Sequence, residues 1–502
     1  MIQKTLNTSA FGKNDIRGIF PSQVNSELFF YTALGFVKWT RLQYSKLNVV
    51  KTTSDLTFCV CMDARLHSPE LKKSLTEGIL ATSANVVDIG LVPTPLGYFS
   101  EFANVNCGSD EQIDGALIIT ASHNPSEYNG LKMTFNKKSL NEEQIQEVKK
   151  YTLEAYEKQN FSTGAVAAGN LYTCDIIPLY IEKISNNFAA IGEGIKIVVD
   201  SANATGGVVA PELYRNLGCE VIELFSEPDG NFPNHHPNPS DEKTLDVLKK
   251  TVVENKADCG IAFDGDSDRI GIVDSNGNSL SGDKLLLIFA TDLIKELVPR
   301  GETPVIVSEV KCSQVLYDTI NNCGGKAIMH KTGHGYIKSK MRETKALLAG
   351  EMSGHIFFKD RYYGFDDAIY AGCRLIEIIA KNKKINSDFK ISDLLKPFDE
   401  VHLSKEVRLH CDNEYKATVL KELEAKINEE MFGSKIIEII TIDGLRIIFE
   451  DGFALIRQSN TEPVFTMRFE AKTKEKCTHY EKTLIKATES IINAISTSGE
   501  LV

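Results

Sequence analysis

Five times along this chain a short apolar run of strand type ends abruptly in a polar cluster, and helical patterns lie between the runs. The runs are residues 56–62, 115–120, 194–200, 257–263 and 304–310. Such an alternation predicts an α/β protein with mostly parallel sheets whose loops gather at one edge. Residues 115–120 end at Ala121-Ser122-His123, and Asn124-Pro125 keeps a helix from following, because the residue before proline is driven out of the α region. A hydroxyl, Ser122, is left at the tip of a strand. His123 lies beside it, and Lys132 is near enough in sequence to bring a positive charge, an arrangement suited to phosphate chemistry. A plain turn built on Ser and Asn is the alternative.

The chain has 502 residues, too many for one core, and suggests three or four domains. A strand and turn are expected at residues 86–95, a helix near 27–42 and another at 140–158. The Gly-, Ala-, Ser- and Thr-rich stretch 159–169 reads as a linker, and polar residues 381–388 as a second boundary. The expected division is 1–163, 164–278, 279–388 and 389–502. The last segment shows strands at 436–441, 444–449 and 453–456 and a closing helix at 474–495.

The net charge of -12 argues against a general nucleic-acid or anionic-membrane surface, so an anionic substrate must meet a local positive site. No stretch approaches the length of a membrane span, and the polar start carries no signal-peptide pattern. A cytoplasmic protein is expected, with its eleven cysteines reduced and mostly buried.

Residues 257–263 run into Asp264-Gly265-Asp266-Ser267-Asp268-Arg269. Carboxylates at every second position converge on one hard cation if the loop curls, and magnesium suits such a site when a phosphate adds a ligand. A calcium EF-hand would need Gly at Arg269 and Glu at Ser275, and has neither. Arg269 is well placed to steady a phosphoryl group. Further along, Lys311 follows a strand, the glycines of Lys331-Thr332-Gly333-His334-Gly335 allow close backbone approach, and Glu351-Met352-Ser353-Gly354-His355 offers groups for sugar hydroxyls. Arg457-Gln458-Ser459-Asn460-Thr461-Glu462-Pro463 joins a guanidinium fork to hydroxyls, an amide and backbone N–H groups, a natural seat for a phosphate dianion. Asn234-His235-His236-Pro237 reads as an ordered turn, without a third ligand to make it a metal site. A Ser-His-acid hydrolase reading of Ser122-His123 lacks the G-x-S-x-G context.

Taken in order, N-D-I-R-G at 14–18, T-A-S-H-N-P, D-G-D-S-D-R, K-T-G-H, G-E-M-S-G-H and R-Q-S-N-T-E-P resemble the α-D-phosphohexomutase superfamily, its bacterial phosphomannomutase/phosphoglucomutase branch most closely. The resemblance covers nearly the whole chain. It implies three similar mixed α/β domains and a C-terminal TATA-box-binding-protein-like α+β domain around a central cleft. The first domain would carry the phosphoserine loop, the second the metal loop, the third the sugar loop and the fourth the phosphate loop. Ser122 would be a phosphoserine, with magnesium held by Asp264, Asp266, Asp268 and an oxygen of that phosphate.

By the same likeness Glu351 and Ser353 bind sugar hydroxyls, with Lys311, Lys331 and His355 as further substrate contacts. Arg457, Ser459, Asn460 and Thr461 would grip the phosphate that is not reacting. Arg17, Lys132 and Arg269 would surround the moving group, and Lys132, His334 and Arg17 are the candidates for general acid or base. Hexose phosphates are the implied substrates, glucose or mannose 1,6-bisphosphate the activator, and a monomer or homodimer the state. A phosphoglucosamine mutase usually reads G-E-Q-S-G-H and D-G-D-G-D-R, so Met352 and Ser267 favour glucose and mannose phosphates. A catalytically dead sugar-phosphate binder would have lost Ser122 or an acid, and none is lost. Asn14 stands where the family usually has Tyr, and residues 42–55 and 103–112 are longer than usual.

Overall fold

A computed structural model describes residues 5–103, 105, 112–158, 168–188, 190–459 and 462–499, with side chains described to 495. Most of the expected linker at 159–169 and of the long segment at 103–112 lies outside the described residues. The chain forms two compact units, Met1–Ser281 with Ser353–Ile391, and Gly282–Met352 with Ser392–Val502.

The first unit holds two sheets. In one, the strands Leu171–Thr173, Asn85–Leu91, Thr57–Met62 and Gly115–Ile119 run parallel in that order. The expected parallel arrangement stops there, because Tyr128–Phe135 returns antiparallel beside Gly115–Ile119, and Ile16–Ile19 pairs antiparallel beyond it. Residues 120–127 are too few for a parallel crossover, which takes a dozen or more, so the chain reverses directly. The second sheet repeats the plan. Glu220–Leu224, Lys196–Asp200 and Cys259–Phe263 are parallel, and Ile270–Asp274 folds back antiparallel with Phe263 opposite Ile270. The serine loop and the acidic loop are therefore the same device, a tight reversal at the carboxyl end of a parallel strand.

Helix Ser26–Lys46 packs on the first sheet between Ser68–Leu80 and Glu142–Lys158. It begins where the Asn25 side chain accepts a hydrogen bond from the Leu28 N–H, satisfying one of the free donors of its first turn. Phe29, Phe36 and Trp39 are fully buried on its inner face, each worth roughly 2–3 kcal/mol. The expected strand and turn at 86–95 proves to be a strand ending at Leu91 and a short helix, Thr94–Ser100, with Pro95 tolerated in its first turn.

In the second unit Lys326–His330, Val305–Glu309 and Leu348–Gly350 are parallel, so residues 310–311, 331–334 and 351–352 leave the same sheet edge. Its other sheet is antiparallel, in the order His402–Leu403, Val464–Ala471, Gly452–Gln458, Leu445–Phe449, Ile436–Ile440. Helices Lys416–Lys426 and Lys474–Gly499 cover it, burying Val419, Leu423, Tyr480 and Leu484 in its core. The strand Val464–Ala471 was not anticipated by the sequence reading. Among the described residues no helix is long and apolar enough to cross a membrane, and all ten described cysteines are free, all but Cys174 and Cys323 buried.

Candidate active site

The loop after Gly115–Ile119 bends sharply at Ser122, whose φ of +50° is a left-handed conformation that costs an L-residue energy. The surroundings hold it there. The Ser122 N–H donates to Thr120 Oγ1 at 2.8 Å, and the Ser122 hydroxyl donates to Asp264 Oδ2 at 2.6 Å. Arg65, which sequence reasoning left without a role, lies beneath the loop. Its guanidinium donates to the carbonyls of Ser122 at 2.9 Å, Asn124 at 2.6 Å, Pro125 at 2.5 Å and Tyr128 at 3.0 Å, and to Asp63 at 3.1 Å. Asp63 also accepts from the Ala121 N–H at 3.3 Å. The available signal was position, since Asp63-Ala64-Arg65 follows strand Thr57–Met62 at the sheet's carboxyl edge.

Asp264, Asp266 and Asp268 are all but fully buried, and one carboxylate oxygen from each lies within 4.8 Å of the others. Gly265 lets the two loops meet, because a Cβ there would stand 2.3 Å from the Ser122 carbonyl oxygen. Thr94, at the start of the unanticipated helix, donates its hydroxyl to Asp266 Oδ2 at 2.6 Å and its N–H to the Asp266 carbonyl at 2.8 Å. Lys132 comes from the returning strand, opposite Ile118, and its ammonium reaches Asp266 at 2.6 Å and Asp268 at 2.5 Å. Arg269 donates its N–H to Asp264 Oδ1 at 3.2 Å. Arg17 pairs with Asp15 and donates to Asn124 Oδ1 at 2.8 Å, at the rim of the serine loop.

These neighbours shape the charges. Burial, reinforced by Asp268 and Asp266, pushes the Asp264 carboxyl above the usual range. Burial acts the same way on Asp268, but Lys132 and His355 outweigh it and hold that carboxyl well below. Burial would lower Lys132, yet Asp266 and Asp268 raise it well above an ordinary lysine, so it stays charged. His123 is held neutral by Arg269, burial and Arg17. Asp266 Oδ1 is buried without a hydrogen-bond partner. An oxygen triad with a bare buried carboxylate oxygen fits a hard divalent cation. His235 instead spends its Nε2 on Asp200 at 3.1 Å, in keeping with an ordered turn.

Ser353 and His355 also belong to the first unit. His355 Nε2 lies 3.3 Å from Asp268 Oδ1 and accepts from Arg269 Nε at 3.2 Å, while its Nδ1 is 3.1 Å from Ser353 Oγ.

The second unit gathers another group of the expected residues around Glu309, a fully buried carboxylate that sequence reasoning did not single out. It accepts from the Met352 N–H at 2.9 Å and from the Thr332 hydroxyl, and lies 3.6 Å from Lys311. Burial raises its pKa, Lys311 opposing and Glu351 adding to the rise. Glu351 accepts from the Gly333 N–H at 2.6 Å, just before His334 opens helix His334–Thr344. Asp443 accepts from the Thr332 N–H and from Arg457 Nε, both at 3.0 Å, so one carboxylate ties the K-T-G-H loop to the arginine loop. Arg468 donates to the Lys311 carbonyl at 2.6 Å and to Met352 Sδ at 2.8 Å. Lys331 is exposed, its ammonium 5.9 Å from the Tyr336 ring centre. Ser459 Oγ accepts from the Glu462 N–H at 3.2 Å, and Lys416 donates to the Ser459 carbonyl at 3.1 Å. Asn460 and Thr461 lie outside the described residues.

Repeated α/β sheets that present a serine and a carboxylate triad at their strand ends, with a buried lysine from the returning strand beside them, define an enzyme of the α-D-phosphohexomutase class. Comparison with known proteins narrows this. Family models for phosphoglucomutase/phosphomannomutase match in order: α/β/α domain I at residues 8–159, domain II at 178–277, domain III at 281–398 and the C-terminal domain at 406–487. A phosphomannomutase/phosphoglucomutase of Pseudomonas aeruginosa is 38% identical over 474 residues, 94% of this chain and 93% of its own. A phosphoglucomutase of Neisseria gonorrhoeae is 41% identical over 413 residues, 82% of this chain and 84% of its own. The crystal structure of a phosphoglucomutase/phosphomannomutase family protein from Burkholderia thailandensis superposes with a TM-score of 0.85 at 34% identity, covering 97% of this chain and 98% of that one. The chain belongs to the phosphoglucomutase/phosphomannomutase family.

Proposed function

We propose that the enzyme reversibly interconverts hexose 1-phosphates and hexose 6-phosphates of glucose and mannose through a phosphoserine at Ser122. The observation that carries this reading is the Ser122 hydroxyl seated 2.6 Å from Asp264 within the buried carboxylate triad. The phosphoryl group passes from Ser122 to the free hydroxyl of the sugar monophosphate, giving a 1,6-bisphosphate. The other phosphate then returns to Ser122 and the isomeric monophosphate leaves. Asp264, Asp266 and Asp268 would hold magnesium together with an oxygen of the serine phosphate, and that cation would neutralise charge on the group in transit.

The chain's own contribution is position and charge. Arg65 and Thr120 fix the serine, while Lys132, Arg17 and Arg269 supply positive charge around it. The hydroxyl that attacks loses a proton and the oxygen that departs gains one. Of the candidates Lys132, His334 and Arg17, Lys132 is held charged and is suited to donate. Glu351 and Ser353, with Lys311, Lys331 and His355, are assigned to the sugar, and Arg457, Ser459, Asn460 and Thr461 to the distal phosphate. Glucose or mannose 1,6-bisphosphate is assigned as the activator that charges Ser122. The four-domain division at 163, 278 and 388 is retained, supported by the order of the family matches. A cytoplasmic setting is supported by the free thiols.

Met352 and Ser267 favour glucose and mannose over glucosamine phosphates. Phosphorus NMR of the magnesium enzyme, primed with glucose 1,6-bisphosphate and offered mannose, glucose and glucosamine 1-phosphates separately, tests this. Conversion of the first two with little of the third is expected. Best conversion of glucosamine 1-phosphate would overturn the sugar assignment, and no conversion of any would overturn the activity.

A further inference from the structure

We propose that Thr94 is a positioning residue for the cation of the carboxylate triad: by occupying one oxygen of Asp266 it makes that acid a single-atom ligand, and so selects magnesium over calcium. The inference rests on the reading of Asp264, Asp266 and Asp268 as the magnesium site, and adds to it a residue from outside the acidic loop.

Thr94 grips Asp266 twice. Its hydroxyl donates to Oδ2 at 2.6 Å and its N–H donates to the carbonyl at 2.8 Å, so both the side chain and the main chain of the acid are held by one residue. Thr94 is fully buried, and its branched Cβ restricts rotation of the hydroxyl. Pro93 and Pro95 stand on either side, each with φ fixed by its ring, so the backbone that carries the hydroxyl has little freedom. The Lys132 ammonium reaches the same Oδ2 from the returning strand, also at 2.6 Å.

Two donors on one oxygen fix the plane of the carboxylate. An ionised carboxylate has about two acceptor sites on each oxygen, so Oδ2 is fully used. Oδ1 is buried without a hydrogen-bond partner, a costly state for a carboxylate oxygen unless a ligand meets it. Turning the group to relieve Oδ1 would break both bonds at Oδ2. The other two acids are held differently. Asp264 accepts the Ser122 hydroxyl on Oδ2 and the Arg269 N–H on Oδ1, and Asp268 holds Lys132 on Oδ2 with His355 3.3 Å from Oδ1. In Asp266, therefore, the neighbours decide which oxygen is offered. A carboxylate limited to one oxygen suits magnesium, a small cation with strict octahedral geometry, whereas the larger calcium ion accepts a carboxylate through both oxygens. Without the Thr94 hydroxyl, Oδ2 regains an acceptor site and Asp266 can offer both.

Calorimetric titration of magnesium and of calcium, separately, into the full-length enzyme charged with glucose 1,6-bisphosphate and desalted tests the proposal without reference to turnover. Thr94→Val keeps the shape of the side chain and removes the donor. Its magnesium affinity should fall about tenfold or more while its calcium affinity holds or rises. Thr94→Ser restores the donor and should restore the preference for magnesium. If circular dichroism shows Thr94→Val misfolded, Thr94→Cys, whose thiol is a weak donor, takes its place with the same expectation. A folded variant that binds both ions as the wild type does, or that loses both equally, would overturn the selection by Thr94 and leave the triad standing. A wild-type enzyme that binds no magnesium would overturn the reading of the triad, and the inference with it.

Discussion

Arg65 is 1% exposed, and its donors end on four carbonyls, those of Ser122, Asn124, Pro125 and Tyr128, and on Asp63. A buried cation is costly unless its hydrogen bonds are made, and here they are made by the backbone that carries Ser122. The strained φ at Ser122 is thereby held from below, leaving the hydroxyl on the opposite side for Asp264. Arg65→Met strips these acceptors and leaves Asp63 buried without its guanidinium. We expect it to lose roughly 3–5 kcal/mol of stability in chemical denaturation. Arg65→Lys keeps the charge but not the planar fork, and should regain part of the stability without regaining the loop geometry. The measurement that separates positioning from folding is intact-mass analysis of Ser122 phosphorylation after exposure to glucose 1,6-bisphosphate. A folded Arg65→Lys enzyme phosphorylated as fast as wild type would refute the positioning role.

The two reversals, residues 120–127 and 264–269, work only because they touch. Gly265 is the point of contact, where an added Cβ would stand 2.3 Å from the Ser122 carbonyl oxygen. That neighbour is backbone already anchored by Arg65, so it cannot swing aside as a flexible side chain would. Gly265→Ala should separate the serine from the carboxylate triad at a cost of about 1–3 kcal/mol. The expected readout is at least a tenfold rise in the magnesium concentration needed for half-maximal turnover, on the order of 1.4 kcal/mol, with secondary structure retained. Unchanged magnesium dependence would show that the loops do not need this approach. The contact explains what the sequence could and could not reveal. Ser122, Asp264, Asp266 and Asp268 stood out because strand patterns end in chemistry-bearing residues, and Lys132 because it follows Ser122 closely in sequence, both local signals. Arg65, Thr94, Glu309 and Asp443 act across long separations, Thr94 on Asp266 and Asp443 on both Thr332 and Arg457, and nothing local marks them. The helix Thr94–Ser100 was hidden by Pro93 and Pro95, read as a turn, although proline is at home in a first helical turn. The antiparallel returns were legible in principle, since 120–127 and 264–269 are too short for crossovers.

For the molecule as a whole, the chain order and the compact units disagree in an instructive way. Ser122, Lys132, Arg17, Arg269 and the whole carboxylate triad lie before residue 281, but their unit also contains Ser353–Ile391. That returning segment supplies helix Ala368–Ile385, whose Ile369, Leu375, Ile376, Ile378 and Ile379 are buried. The Tyr214 hydroxyl donates to the Ile369 carbonyl at 3.1 Å, and the Tyr180 hydroxyl to Asp367 at 2.8 Å. The Ala368 N–H also donates to the carbonyl of Ser267, the left-handed residue at the middle of the acidic loop, at 3.3 Å. A fragment of residues 1–281 therefore has every residue assigned to the phosphoserine and its cation, yet lacks one wall of its core. At roughly 2–3 kcal/mol for each lost apolar contact partner, the deficit rivals the whole stability of a domain, about 5–15 kcal/mol. We expect the fragment to show no cooperative unfolding transition and no magnesium binding by calorimetry. Joining residues 353–391 to it through a flexible linker should restore both, because the helix then returns to the face that Tyr180 and Tyr214 leave uncovered. A 1–281 fragment that bound magnesium as tightly as the full chain would mean that the acidic loop is shaped by its own hairpin alone, and that the helix contributes nothing to it.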